Sequence, residues 1–140
     1  MMRAVLDTNL WISGILLPKS KAGQIIKAGF EEAFTIITSE HILSEIKKLL
    51  AHPKIQKIRK RTEEEIDAYI FESQIFSEYL VENPIVFHVE RDPKDSAVLS
   101  TLLNSDAEYL ITGDEALLSL RKKFSIITLN EFYNIVFHLK

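Results

Sequence analysis

Two kinds of apolar pattern alternate along the chain from its first residues to its last. Short apolar runs, most of them rich in β-branched residues, predict strands. Between these runs, apolar residues recur every three or four positions, as they do on one face of an amphipathic helix. The predicted strands are residues 4–6, 34–37, 85–89, 109–112 and 125–128.

Helices are predicted between and after these strands. Thr62 and Glu65 form a capping box, and Asp92 precedes Pro93 at a first helical position. The predicted helices cover residues 10–17, 20–33, 38–52, 62–80, a segment from 92, residues 115–121 and a segment from 130.

This alternation predicts an α/β fold with a mainly parallel sheet and helices on both faces. Right-handed crossovers would gather the carboxyl ends of the strands at one edge, where such folds bind ligands. The 140 residues suffice for one domain with a sizeable core and are too few for two. We therefore expect a single domain over residues 1–140.

Composition and apolar run lengths indicate the cellular compartment in which the protein is expected. Hydrophobic residues make up 46% of the chain, and the absence of cysteine excludes disulfides and thiolate metal sites. No run approaches the ~18 apolar residues of a membrane span. Asp7 interrupts the first apolar run, which is therefore unlike a signal peptide. We expect a cytoplasmic protein that does not contact a membrane.

Charge is segregated along the chain, although the net charge is only −3. Between Lys47 and Arg61 all seven charged residues are basic, and between Thr62 and Glu82 all seven are acidic. Two solvated helix faces of opposite sign would explain this pattern. The alternative is a basic patch that binds phosphates. Its candidate residues are Lys47, Lys48, Lys54, Lys57 and Arg59.

Four carboxylates lie at or near the boundaries of predicted elements, and each has an ordinary structural explanation. Asp7 follows the first strand and Asp114 follows the fourth, where either would serve as a helix N-cap. Glu45 borders the apolar face of its helix, where most glutamates reach into solvent. Asp95 occupies the third helical position after Asp92, where the helix dipole favours an acid.

Considered together, the same four carboxylates indicate a metal site. Three follow or lie near strand ends, and the fourth lies on a helix that begins directly after a strand, so a parallel sheet would collect them at one edge. Carboxylates this close would repel one another, and a divalent cation removes that cost. All-oxygen ligation without cysteine favours Mg²⁺ or Mn²⁺, either of which can activate water for phosphodiester hydrolysis.

Other catalytic patterns are absent from the sequence. It contains no Ser/His/Asp arrangement and no glycine loop that would cradle a phosphate. A phosphatase of the haloacid-dehalogenase type would need a second aspartate two positions after Asp7, where this chain has Asn9. The histidines show no paired metal-ligand spacing and are expected to be structural or exposed. They are His41, His52, His88 and His138.

The site residues resemble those of the PIN-domain family of ribonucleases, over essentially the whole chain. The resemblance rests on the strand that ends in Asp7-Thr8-Asn9, on Glu45, on residues 92–95 (Asp-Pro-Lys-Asp) and on residues 109–114 (Tyr-Leu-Ile-Thr-Gly-Asp). The last two segments are similar to those of prokaryotic toxins of toxin–antitoxin systems and, more distantly, of VapC-like toxins.

The resemblance implies a three-layer α/β/α sandwich with about five strands, and Mg²⁺- or Mn²⁺-dependent cleavage of single-stranded RNA. It also implies a homodimer and a cognate antitoxin as partner. Asn9 and Thr112 would orient the substrate or hold the ligands in place, and Asp92 would remain a helix cap. The catalytic and metal-binding residues implied by position are Asp7, Glu45, Asp95 and Asp114, with Asp7 and Asp95 closest to the metal.

One position departs from the family pattern. Many relatives carry another acid two positions after the last aspartate, where this chain has Ala116. Glu115 is the neighbouring acid, but on a helix its side chain would point in a different direction from that of residue 116. The departure leaves open whether the site holds one metal or two. It also leaves the alternative of a PIN-like module that binds RNA or an antitoxin with weak catalysis or none.

Overall fold

A computed structural model describes residues 1–138 of the chain. Five strands form one sheet in the order β3-β2-β1-β4-β5, and every neighbouring pair is parallel. The strands are β1 (Arg3–Leu6), β2 (Thr35–Ser39), β3 (Glu78–Leu80), β4 (Tyr109–Ile111) and β5 (Ile126–Ile127). The predicted α/β fold with a parallel sheet of five strands is confirmed.

The strand order determines which face of the sheet each helix covers. The chain steps outward from β1 to β3 and then crosses back to β4 and β5, so right-handed crossovers place α1–α5 on one face and α6 and α7 on the other. The described helices are α1 (Thr8–Leu16), α2 (Lys21–Phe30), α3 (Glu40–Leu50), α4 (Pro53–Ile58), α5 (Glu63–Ile75), α6 (Pro93–Leu103), α7 (Glu115–Leu118) and α8 (Leu129–Val136). Contacts of α6 with β1, β2 and β4, and of α3 with α1 and α5, agree with this layering.

The central strand β1 is almost completely buried, because helices cover both faces of a parallel sheet. Fully buried Trp11 on α1 packs against Phe30 of α2, with ring centroids 6.1 Å apart. Phe34 and Phe132 meet edge to face at 5.0 Å and bring α8 onto the same side of the core. These contacts pack α1, α2 and α8 together on one side of the core.

The third strand is not where the sequence predicted it. Helix α5 ends at Ile75, short of residue 80, and residues 78–80 form β3, whereas residues 85–89 form no strand. Two serines of α6 account for this difference. The backbone N–H groups of Val86 and Val89 donate to Ser100 Oγ at 3.1 Å and Ser96 Oγ at 2.7 Å. Because these two side chains satisfy the N–H groups of Val86 and Val89, neither group requires a neighbouring strand.

Smaller differences concern where helices begin and end. Helix α1 begins at Thr8 rather than at residue 10, and α2 ends at Phe30, three residues before Ala33. Helix α4 was not predicted. His52 and Pro53, predicted to end the preceding helix, also start α4, because His52 Nδ1 accepts the Lys54 N–H at 3.1 Å. The predicted capping box at the start of α5 is present, with both of its hydrogen bonds.

Gly23 permits the close approach of the α1–α2 turn. A Cβ at this position would lie 2.2 Å from the carbonyl oxygen of Pro18. We expect Gly23→Ala to lower the free energy of unfolding by about 1–3 kcal/mol, despite the higher helix propensity of alanine. Gly113→Ala is the control, because a Cβ there meets nothing within 4 Å. Urea unfolding measures both variants, and equal stability of the two would contradict the packing argument.

Candidate metal centre

The four acids share a crevice at the carboxyl edge of the sheet. Strands β1 and β4 are neighbours, and the helices that follow them lie on opposite faces, so a crevice opens where these strands end. Asp7 directly follows β1, and its N–H donates to the Ile111 carbonyl of β4 at 3.0 Å. A cavity of about 190 Å³ is lined by all four predicted acids, which are Asp7, Glu45, Asp95 and Asp114.

The hydroxyl of Thr112 connects two of these aspartates. It is fully buried, donates to Asp7 Oδ2 at 2.6 Å and accepts the N–H of Asp114 at 3.0 Å. One hydroxyl therefore orients the Asp7 carboxylate and positions the backbone of Asp114. The sequence predicted an orienting role for Thr112, and the structure places its hydroxyl between these two acids.

Asp7 occupies the N-cap position of α1, yet its side chain makes no cap hydrogen bond to the described helix. The carboxylate is buried and lies against the cavity. Burial raises the pKa of Asp7, the hydrogen bond from Thr112 partly offsets the effect, and the charges of Asp114 and Asp92 raise it further. The capping explanation for Asp7 therefore does not apply in this structure.

Asp114 and Asp92 do cap helices. Asp114 Oδ1 accepts the Leu117 N–H at 3.0 Å, and Asp92 Oδ1 accepts the Lys94 N–H at 2.9 Å. Both residues also line the cavity. A carboxylate has two oxygens, so Asp114 can cap α7 through Oδ1 and still interact with Asp95 inside the cavity.

Among the acids in the crevice, Asp95 has the most strongly raised pKa. It is only 6% exposed, and its Oδ2 is buried with no hydrogen-bond partner among the described residues. Burial, the charges of Asp114 and Asp7, and a hydrogen bond with the Asp114 side chain raise the pKa of Asp95 to about 7. A carboxylate oxygen that is buried without a donor is a position where a cation would be favourable.

Glu45 faces the cavity rather than solvent. Its side chain is 17% exposed, and Oε2 lies 3.4 Å from Lys94 Nζ. The Lys94 side chain is 59% exposed and reaches the carboxylate from the mouth of the cavity. Asn9 lines the cavity as well and is exposed at its mouth.

Two ionisable residues of the cavity were not assigned to the site from the sequence, which predicted only that the histidines are structural or exposed. One is Lys94, which lies between Asp92 and Asp95 in a segment that carries the family resemblance. The other is His41, whose Nε2 is buried without a partner among residues 1–138. His41 lies four positions before Glu45, a spacing that puts two side chains on one helix face. That spacing was the signal available for His41.

The proposed basic patch lies elsewhere. None of the residues Lys47, Lys48, Lys54, Lys57 and Arg59 lines the carboxylate cavity. Lys47 pairs with Asp67 of α5 at 2.9 Å. Arg59 lines a larger cavity of about 520 Å³ between α1, α2 and α5, which contains none of the four acids. Three glutamates line the larger cavity together with Lys27, Arg59 and Arg61, whereas the four predicted acids all line the smaller one, where we therefore place the candidate chemistry.

The acids suit a divalent cation chemically, although within residues 1–138 no three His, Asp or Glu side chains are arranged to hold one as they stand. Two contacts keep the acids apart from a common ligand position. Glu45 is turned toward Lys94, and Asp7 Oδ2 accepts a hydrogen bond from Thr112. The four acids offer hard oxygen ligands, and Asp95 Oδ2 accepts no hydrogen bond from the described residues. Glu45 can join a bound cation only by leaving Lys94.

Comparison with known proteins places this site in a family context. The family model described as "PIN domain" matches residues 3–116, a span that includes all four acids. The chain is also 32% identical over 136 residues to Uncharacterized protein MJ1680 of Methanocaldococcus jannaschii, covering 94% of this chain and 83% of that protein. Separately, no helix in residues 1–138 is both long and apolar enough to cross a membrane.

The raised pKa of Asp95 predicts a pH-dependent stability. The folded protein keeps this proton up to about pH 7, whereas the unfolded chain releases it near 3.8, so the stabilising contribution is lost as pH rises through that window. In the presence of a chelator we expect Asp95→Asn to exceed the wild type in stability by roughly 1–3 kcal/mol at pH 8, and to match it near pH 4.

Thermal unfolding of both proteins between pH 4 and pH 8 measures this difference. Asp106→Asn is the control, because Asp106 is exposed and does not line the cavity. A constant offset between Asp95→Asn and the wild type over the whole range would contradict the burial of an acid at this position.

Proposed function

The chain belongs to the PIN domain family, whose members are typically nucleases, and from this premise we propose that it is a metal-dependent endoribonuclease. The observation that carries the proposal is the convergence of Asp7, Asp95 and Asp114 on one cavity, with Thr112 joining two of them. PIN domains commonly use divalent metals, and the oxygen donors of this cavity fit Mg²⁺ or Mn²⁺.

In the proposed mechanism, each side chain has a role that its contacts support. Asp7 and Asp95 would lie closest to the cation, and Glu45 and Asp114 would complete its set of carboxylate ligands. Thr112 keeps the Asp7 carboxylate turned into the cavity by donating to Oδ2. A bound Mg²⁺ or Mn²⁺ supplies charge stabilisation for the phosphoryl group and lowers the pKa of an attacking water. Asn9, exposed at the mouth, would orient the RNA.

We also propose that the substrate is single-stranded RNA and that the protein is the toxin of a toxin–antitoxin pair, with a cognate antitoxin as its partner. The support is the similarity of residues 92–95 and 109–114 to toxin sequences of this family. The structure adds that both segments line or adjoin the cavity, through Asp92, Asp95 and Asp114.

Two observations favour a second candidate, a PIN-like module that binds RNA or an antitoxin with weak catalysis or none. Ala116 packs against the hydrophobic core, and Glu115 is exposed and does not line the cavity, so neither supplies the acid that many relatives have there. In addition, no three ligands are arranged for an ion in the described residues. This candidate predicts metal or RNA binding without turnover.

Cleavage by the wild type separates the two candidates, and Asp7→Asn tests whether the cleavage depends on this site. We expect the wild type with Mn²⁺ to cleave single-stranded RNA, and Asp7→Asn to lose activity by at least about 100-fold, because a carboxylate at the centre of the site is replaced by a neutral amide. Gel analysis of a labelled RNA pool measures cleavage, with chelator as the metal-free reference and Asp106→Asn as the control.

Induced expression in a bacterial host tests the toxin role with the same proteins. Growth arrest by the wild type and by Asp106→Asn, but not by Asp7→Asn, is the expected result. Equal cleavage by the wild type and Asp7→Asn would refute the assignment of the site. Binding of Mn²⁺ and RNA by the wild type without cleavage would instead establish the second candidate.

We propose a homodimer that uses the outer face of α5. Phe71 and Ile75 are 66% and 60% exposed and lie one helical turn apart, so they form an apolar stripe that nothing in the described chain covers. The adjacent segments carry opposite charge, basic before residue 62 and acidic after it. A two-fold pairing can set the basic segment of one copy against the acidic segment of the other.

Phe71→Glu tests this interface. Light scattering at micromolar concentration should give twice the chain mass of 16.1 kDa for the wild type and a single chain mass for the variant, because a charge replaces the centre of the apolar stripe. Val81→Glu is the control, since Val81 is 82% exposed but lies after β3, outside the apolar stripe of α5. A monomeric wild type would exclude the dimer.

A further inference from the structure

We propose that Lys94 is an RNA-binding residue that pairs with Glu45 in the absence of metal, and that a divalent cation releases it by taking up the Glu45 carboxylate. The inference rests on the proposed nuclease function and extends it, since it assigns a substrate contact and an order of events to a residue outside the acidic set. Metal binding and RNA binding would then be coupled through a single ion pair.

The geometry of the pair supports an exchange of partners. Glu45 Oε2 and Lys94 Nζ are 3.4 Å apart, and the carboxylate side chain is 17% exposed whereas the lysine side chain is 59% exposed. The acid thus belongs to the interior of the cavity and the ammonium group to its mouth. If Glu45 turns toward a cation, Lys94 loses its partner without being buried, and its ammonium group remains in solvent at the entrance.

The backbone of Lys94 is held while its side chain is free to turn. It occupies the second helical position of α6, where its N–H donates to Asp92 Oδ1 at 2.9 Å. Asp95 follows it directly and lines the same cavity. The Cα of Lys94 is therefore fixed beside the acids, and rotation of a four-carbon side chain is enough to move the ammonium group from Glu45 to an incoming phosphate.

Charge explains why Lys94 and the cation compete. Among residues 1–138, Lys94 is the one lysine or arginine that lines the cavity. The acids that line it are Asp7, Glu45, Asp92, Asp95 and Asp114. Without metal, the ammonium group is the counter-charge of this cluster. A divalent cation attracts the carboxylates more strongly and repels the ammonium group, so the two do not share Glu45.

The released ammonium group suits an RNA phosphate. An RNA strand must approach the mouth of the cavity for its backbone to reach the acids, and its phosphates are repelled by those acids until positive charge is present. Lys94 offers three donors and a full positive charge at that mouth. The basic residues of α3 and α4 do not line the cavity, so they leave this role open.

The test is whether substitutions of Lys94 change the affinity for Mn²⁺ and the affinity for RNA in opposite directions. Lys94→Met keeps the length of the side chain without its charge, Lys94→Arg keeps the charge, and Lys19→Met is the control. Lys19 is exposed in the turn after α1, at the end of that helix remote from Asp7. Mn²⁺ affinity is measured by electron paramagnetic resonance without RNA. Binding of a labelled 12-nucleotide oligouridine is measured in Ca²⁺, with the RNA checked for cleavage.

We expect Lys94→Met to bind Mn²⁺ about three- to tenfold more tightly, because a repelling charge is removed, and to bind the oligouridine more weakly by a similar factor. The slope of log affinity against log salt should fall by about 0.7, the value for one phosphate contact on a single strand. Lys94→Arg should retain RNA binding, and Lys19→Met should change neither affinity.

An unchanged Mn²⁺ affinity or an unchanged RNA affinity in Lys94→Met would overturn the exchange. If the wild type binds Mn²⁺ and RNA and both affinities are insensitive to residue 94, the proposed nuclease stands and only this inference fails. If the wild type binds no Mn²⁺, both fail together. A structural role for Lys94 would lower both affinities or neither, and so cannot reproduce the opposite changes.

Discussion

The buried hydroxyl of Thr112 holds together the two inner strand ends on which the candidate site is built. It donates to the Asp7 carboxylate after β1 and accepts the N–H of Asp114 after β4. The Asp7 N–H also donates to Ile111, so the two strand ends are joined by backbone and side chain alike. The relative position of the two aspartates is thereby set by the sheet itself.

Around the Thr112 hydroxyl the fold holds several acids close together. This clustering lowers the stability of the folded protein, and the rest of the fold must offset it. Burial and neighbouring charge raise the pKa of both Asp7 and Asp95. The fully buried β1 residues and the aromatic contacts of Trp11 and Phe34 supply the opposing hydrophobic stabilisation. Strain of this kind is typical of functional sites, because a site that binds charge must be assembled before the charge arrives.

Local signals in the sequence predicted most of the fold. The capping box of Thr62 and Glu65 and the Asp92-Pro93 start depend on neighbouring residues alone, and both are present. Residues 85–89 show where local reasoning ends. Their β-branched composition is suited to a strand, but Ser100 and Ser96 of α6 accept two of their backbone N–H groups, and residues 78–80 pair with β2 instead.

The sequence by itself determined the alternation of strands and helices, except for α4 and the position of β3, and the presence of four acids near the element boundaries. Periodicity, caps and turns are properties of adjacent residues. The tertiary structure decided which side chains meet. It showed that Asp114 caps a helix and still faces the cavity, that His41 and Lys94 line it, and that Lys47 pairs with Asp67 away from it. The physical reason is that these contacts join elements distant in the chain, so they depend on how the crossovers pack the helices onto the sheet.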